Sequence, residues 1–225
     1  NVFDPIVKNS VILKSCHEFA FDHKNISDKR IALILGNSTY KTGTLVQPVN
    51  NAELLSEVLT KAGFAVTLLK NGTLKEMNAA MVQFSKLLGK EQATIGFFYF
   101  AGQGLQINSN NYMVPADAII NQESNIGENC IDLNYYISMM PDSKVRLNIF
   151  VFDANRNNPH QNEIPSSTQG PASANIPVNT IYACSTAPGG VVCKTENKYS
   201  LFAGELAKMI LIPDLTIDEV LNKVR

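Results

Sequence analysis

Five short runs of nearly unbroken apolar residues, set between longer stretches where apolar side chains recur every three or four positions, constrain this chain more than any other feature. The runs are Ile31 to Leu35, Phe64 to Leu69, Ile95 to Phe100, Leu147 to Phe152 and Thr180 to Cys184. Each has the length of a strand, and Ile31 to Leu35, a continuous apolar run ended by Gly36 and Asn37, has the pattern of one covered on both faces. Between Asn51 and Ala62, the residues Ala52, Leu55, Val58, Leu59 and Ala62 fall on one helical stripe, and Gly63 stands at the C′ position. Thr73 with Glu76 forms a capping box before Leu74, Met77, Met81, Phe84 and Leu88, with Gly89 closing the run. A short helix is expected from Asp132, its N-cap, to Met139, another from Leu201 to Ile210, and a last one behind a second capping box at Thr216 and Glu219.

Strands alternating with amphipathic helices of this length require right-handed crossovers. The expected fold class is therefore α/β, a three-layer α/β/α sandwich with a mainly parallel central sheet. Residues 1–29 read as an amino-terminal arm packing on one domain over 30–225, with Val2 to Ile6 and Ser10 to Leu13 as short strands or packing segments. A long connector lies at 156–179. In open parallel sheets the ligand crevice lies at the carboxyl ends of the strands. Three places meet that description: Gly36 to Tyr40, Ala101 to Gln106 and Asp153 to Pro159.

Composition removes several function classes. The formal charge of −1, from 19 Lys and Arg against 20 Asp and Glu, offers phosphate backbones and anionic membranes no general attraction, so no nucleic acid partner is expected. Three histidines and four cysteines without a CxxC pair give little material for a metal site. No apolar run has the length of a membrane span. The chain starts at Asn1 without a signal-like segment and reads as a soluble fragment of a longer protein, with its compartment and oligomeric state open.

The strand ends carry the most specific pattern. Ala101-Gly102-Gln103-Gly104-Leu105-Gln106 follows the third strand, and Asp153-Ala154-Asn155-Arg156-Asn157-Asn158-Pro159 follows the fourth. With Arg30 to Asn37 and Tyr40, Pro48 to Ala52, Gly63-Phe64, Asn111 to Pro115 and Asp117, Ser185 to Gly189, and Ser200 with Phe202, the chain resembles the caspase-like cysteine peptidases of the metacaspase, paracaspase and orthocaspase branch. The resemblance implies a caspase-like peptidase C14 fold. It also implies a histidine between the glycines of the first segment and a nucleophilic cysteine within the second. In such a pair the imidazole assists thiolate formation and protonates the departing amine, while backbone N–H groups hold the oxyanion.

This chain has Gln103 and Asn155 at those two positions. Neither carboxamide titrates near neutral pH or supplies a base. The resemblance further implies an oxyanion-type pocket at Gly104, with Gly102 also allowing close backbone approach, and a peptide-binding pocket at Asp153, Asn51 and Ser185. Many relatives with basic specificity carry Asp where Asn51 stands, so one of two pocket carboxylates is neutral here. Self-processing relatives are cut in the connector, yet there is no Lys or Arg between Asn157 and Cys193 and no Asp between Ala154 and Pro213. An uncleaved chain is expected.

The reading is an inactive caspase-like domain, a pseudoenzyme that binds a protein or peptide ligand in the degenerate cleft or regulates a linked domain or an active relative. One alternative is a hydrolase with an unorthodox nucleophile, Cys184 or Ser185, although no histidine falls at a matching strand end. Another is a peptidase whose His and Cys were exchanged in the laboratory. Gln103 and Asn155 either fill the old site, bonding each other or water, or form a polar floor for a peptide. His160 reads as a solvated loop residue, Phe97 to Phe100 as core, and Lys144 with Arg146 as a solvated approach to a strand. No cofactor is expected. Calcium, which family members can require, stays open because no acidic cluster assigns its ligands.

Overall fold

The computed structural model describes residues 6–8, 29–90, 93–108, 110–138, 140, 145, 147–155, 177, 179–185 and 197–224. In chain order the elements begin with β1 (Ile6–Lys8), β2 (Arg30–Gly36), a two-stranded hairpin of β3 (Thr39–Tyr40) and β4 (Gly43–Thr44), α1 (Pro48–Lys61), β5 (Phe64–Lys70) and α2 (Leu74–Lys90). Then follow β6 (Ile95–Ile107), β7 (Asn110–Met113), a 3-10 turn at Glu123–Asn125, α3 (Ile126–Asn129), β8 (Ile131–Asp132) and α4 (Leu133–Ser138). The last elements are β9 (Leu147–Asn155), β10 (Thr180–Cys184), α5 (Leu201–Ile210) and α6 (Ile217–Val224).

All five expected strands are present and mutually parallel, in the spatial order β10-β9-β6-β2-β5. β1, from the amino-terminal arm, adds to the outer edge of β10 antiparallel, pairing Ile6 with Ala183. Residues 1–5 and 9–28, which include most of that arm with His17 and His23, lie outside the described set. Period-two alternation along the strands sends their side chains into two cores. Phe97, Tyr99, Leu147, Ile149, Val151 and Ile181 pack under α1, α5 and α6, while Phe98, Phe100, Phe150, Phe152 and Tyr182 pack under α2 and α4. That is the expected three-layer α/β/α sandwich with a mainly parallel sheet. The four consecutive aromatics Phe97 to Phe100 are core, as expected, each burial being worth about 1.5–3 kcal/mol.

Local signals behave as read. Thr73 Oγ1 caps α2 by accepting from Glu76 N while the Glu76 carboxylate accepts from Thr73 N, and Thr216 with Glu219 repeats the arrangement. Gly63 has φ +82°, the left-handed conformation its position demands. Asp132 Oδ1 accepts from Asn134 N and Tyr135 N at the start of α4. Lys144 and Arg146 fall outside the described residues.

Several boundaries differ from expectation, beginning with α1, which starts at Pro48 instead of Asn51. α2 continues through Gly89 to Lys90. β6 does not stop at Phe100: it continues through Gly102-Gln103-Gly104 to Ile107, because β9 stays paired with it to Gln103 and β7 then pairs antiparallel with residues 104–107. β9 likewise runs to Asn155 instead of ending at Phe152. The residues expected in loops after two strands are thus held in the last rungs of the sheet.

Candidate active site

β2 lies between β5 and β6, which follow it in sequence on opposite sides. The chain therefore reverses direction across the sheet at β2, and the carboxyl ends of β2 and β6 form the switch point at which such sheets take their ligands. β2 stays in register with β6 until Gly36 pairs with Ala101, and Asn37 N still donates to Ala101 O at 2.9 Å. On the other side of β6, the parallel ladder to β9 continues two residues further. Its final rung places Gln103 directly beside Asn155. The two positions singled out in the sequence are therefore nearest neighbours on adjacent strands at this end of the sheet. Gln103 is buried. The Asn155 side chain is outside the described residues, and so is the expected contact between the two carboxamides.

One turn of strand below that rung, Asp153 pairs with Ala101 and is buried to 5 % exposure. Its Oδ2 accepts three hydrogen bonds, from Tyr99 Oη at 2.7 Å, Ser200 Oγ at 3.1 Å and Asn51 Nδ2 at 3.2 Å. Asn51 lies in the first turns of α1, and Ser200 is the N-cap of α5, accepting from Ala203 N. Two helix N-termini therefore bring donors and favourable dipoles to one carboxylate. Asn51 also accepts from Ser200 N through Oδ1 and donates to Ser200 Oγ through Nδ2, closing the network between the helices.

Burial still dominates the Asp153 ionisation. Desolvation raises its pKa above the ordinary 3.8, against the opposing pull of Tyr99, Ser185, Ser200 and Asn51. The Ser185 hydroxyl acts from beyond full hydrogen-bond geometry, since its buried Oγ has no partner. Tyr99 is pushed well above 10 by its own burial first and by the Asp153 charge second. The phenol therefore stays a donor at neutral pH.

The glycines of this segment are shaped by crowding. A Cβ on Gly102 would stand 2.5 Å from Tyr40 Oη, and one on Gly104 would stand 2.8 Å from Ala154 Cβ and 3.0 Å from the Phe152 ring. Asn51, Gln103, Gly104 and Asp153 are thus gathered at one end of the sheet, with Ser185 immediately after β10, where its N donates to Phe152 O at 3.2 Å. Cys184, the alternative nucleophile, is 4 % exposed and packs in the α2-side core with Phe152 and Tyr182. Neither Cys184 nor Cys130 is in a disulfide, and Cys130 is pushed up to about 12 by burial. His160 and most of the connector fall outside the described residues. Among the described residues no cluster of His, Cys, Asp and Glu is arranged to hold a metal ion, and no helix is long and apolar enough to cross a membrane.

Three participants were missed in the sequence. Tyr99 was counted only as core, and Tyr40 and Ser200 were noted only as parts of the family resemblance. A buried tyrosine needs a partner for its hydroxyl, and residue 99 shares the sheet face of position 101, the partner of Asp153. That parity was the available signal.

The parallel-sheet sandwich, with positions 103 and 155 paired at adjacent strand ends, agrees with the caspase-like fold that the sequence resemblance implied. The caspase-domain profile of peptidase family C14 matches residues 29–225, and the chain belongs to that family. It is 28% identical over 204 residues to human mucosa-associated lymphoid tissue lymphoma translocation protein 1, covering 88% of this chain and 24% of the relative. The mouse homolog of that protein gives 28% identity over 204 residues, with 88% of this chain and 23% of the relative covered. This chain spans about a quarter of the length of the curated relatives it matches.

Proposed function

We propose that this domain is a catalytically inactive caspase-like domain that acts by binding a protein or peptide in its strand-end cleft, or by regulating a linked domain or an active relative. The observation that carries the reading is the final rung of the central ladder, where Gln103 stands beside Asn155 at the two positions that the family uses for its imidazole and thiol. Peptide hydrolysis by this route needs a thiolate to attack the carbonyl carbon and an acid to protonate the leaving amine. A carboxamide at each position supplies neither. Cys184 offers no replacement, since a thiol within a packed aromatic core has no path to a substrate carbonyl.

Binding does not need the pair. Asp153 remains as a buried carboxylate, and among the described residues all of its full hydrogen bonds end on Oδ2. Oδ1 is left for a donor or cation brought by a ligand. Asn51 in place of a second carboxylate weakens the preference for a basic side chain without abolishing it.

The test is capture of a proteome-derived peptide library on the immobilised domain, read by mass spectrometry. The wild-type protein is expected to retain a peptide set that Asp153→Ala loses, with no new peptide termini generated. Retention that is absent, or identical for Asp153→Ala, contradicts the binding role.

A further inference from the structure

The hydroxyl of Tyr40 stands where a strand is missing. β2 leaves β6 after the Gly36–Ala101 rung, so the next β6 amide facing that side, Gln103 N–H, has lost its ladder partner. A buried backbone N–H without an acceptor costs about 1–3 kcal/mol. Tyr40 Oη accepts this N–H at 2.7 Å and donates to Asn37 O at 3.0 Å, the carbonyl just past the end of β2. The phenol therefore bridges the diverging strands at the switch point.

Three neighbouring features make room for it and hold it. Gly102 has no side chain where a Cβ would lie 2.5 Å from that hydroxyl. The β3–β4 hairpin pairs Tyr40 with Gly43, and the ring is buried with Leu105, Ile107 and Val114. Burial raises the phenol pKa well beyond neutrality, so it remains both donor and acceptor.

We propose that Tyr40 is a positioning residue: it replaces the departed β2 as hydrogen-bond partner of Gln103 N–H and so fixes the backbone at position 103 beside position 155. This role rests on the assignment of 103 and 155 as the former reactive pair, and the experiment separates the two claims. Three proteins are compared by the pH dependence of iodoacetamide alkylation at position 155: Asn155→Cys, Gln103→His/Asn155→Cys, and the latter with Tyr40→Phe. Asp153, the charged group of the same strand end, is common to all three. A well-placed imidazole lowers the midpoint of the double variant by about one pH unit or more relative to the single variant. Tyr40→Phe is expected to return most of that shift. Gly102→Ala, which crowds the phenol without removing it, is expected to do the same if Tyr40→Phe does not fold. Tyr136→Phe, which removes a hydroxyl bonded to Asn78 Oδ1 on the far helices, is expected to leave the midpoint unchanged. Equal midpoints for the single and double variants overturn the assignment of the pair and this role with it. Different midpoints that neither Tyr40→Phe nor Gly102→Ala moves overturn the role alone.

Discussion

Tyr99→Phe is the sharpest perturbation of the buried network. The hydroxyl is fully enclosed and donates to Asp153 Oδ2 at 2.7 Å, the shortest of the three bonds on that oxygen. Its removal leaves ring packing intact, so the cost isolates the hydrogen bond. A bond to an ionised acceptor is worth about 1.5–3 kcal/mol, against about 0.5–1.5 kcal/mol between neutral groups. In a domain of this size each kcal/mol moves the Tm by about 2–4 °C, giving a fall of roughly 3–12 °C. The charge dependence is tested by a double-mutant cycle with Asp153→Asn, measured by urea unfolding at pH 7 with m-values held constant. Tyr99→Phe should cost about 1 kcal/mol less when position 153 is neutral. An equal cost in both backgrounds, or a cost within about 0.5 kcal/mol of zero in the wild type, refutes a charged Asp153 held by Tyr99.

Other outcomes follow from the same geometry. Because the folded pKa of Asp153 is raised above 3.8, the native state holds that proton more tightly than the unfolded chain does. The associated stability is complete below about pH 3.8 and is lost as pH rises through the folded value. Asp153→Asn should therefore gain in Tm relative to wild type as pH rises from 4 to 7, and a difference that is flat or shrinking over that range would count against a raised pKa. Gly36→Ala puts a methyl 2.5 Å from Ala52 Cβ and 2.9 Å from Pro48 O at the start of α1, and should lower stability by about 1–3 kcal/mol in chemical denaturation. Cys130 and Cys184 should resist iodoacetamide at pH 8 in the native protein and react after unfolding, as read by mass spectrometry; rapid native labelling of Cys184 would revive it as a nucleophile.

The sheet was legible in the sequence because its inner parallel strands bury both faces and so read as apolar runs, while the edge strand β5 is buried only at Phe64 yet stays largely apolar. The helices were legible because each buries one stripe and carries its own caps, as at Thr73 and Thr216. The continuations of β6 and β9 were not. Gly102-Gln103-Gly104 reads as a turn, and only tertiary partners make it a strand: β9 on one side, Tyr40 on the other, and β7 beyond. β1 is three residues long and owes its existence to the exposed edge of β10, which local sequence cannot announce. The family motifs located Asn51, Gln103, Asp153 and Asn155, but not which groups satisfy one another. That Asp153 is held by Tyr99 and Ser200 depends on strand parity and on two helix ends meeting, both of which belong to the fold.

The central claim is that the Gln103–Asn155 rung cannot hydrolyse a peptide bond. It is tested most directly by the steady-state cleavage of Arg-, Lys- and Asp-directed reporter peptides by the purified wild-type domain, with Asn155→Ala as the control. The account predicts no turnover above the Asn155→Ala background for any reporter. Turnover by the wild-type protein that Asn155→Ala abolishes would contradict it.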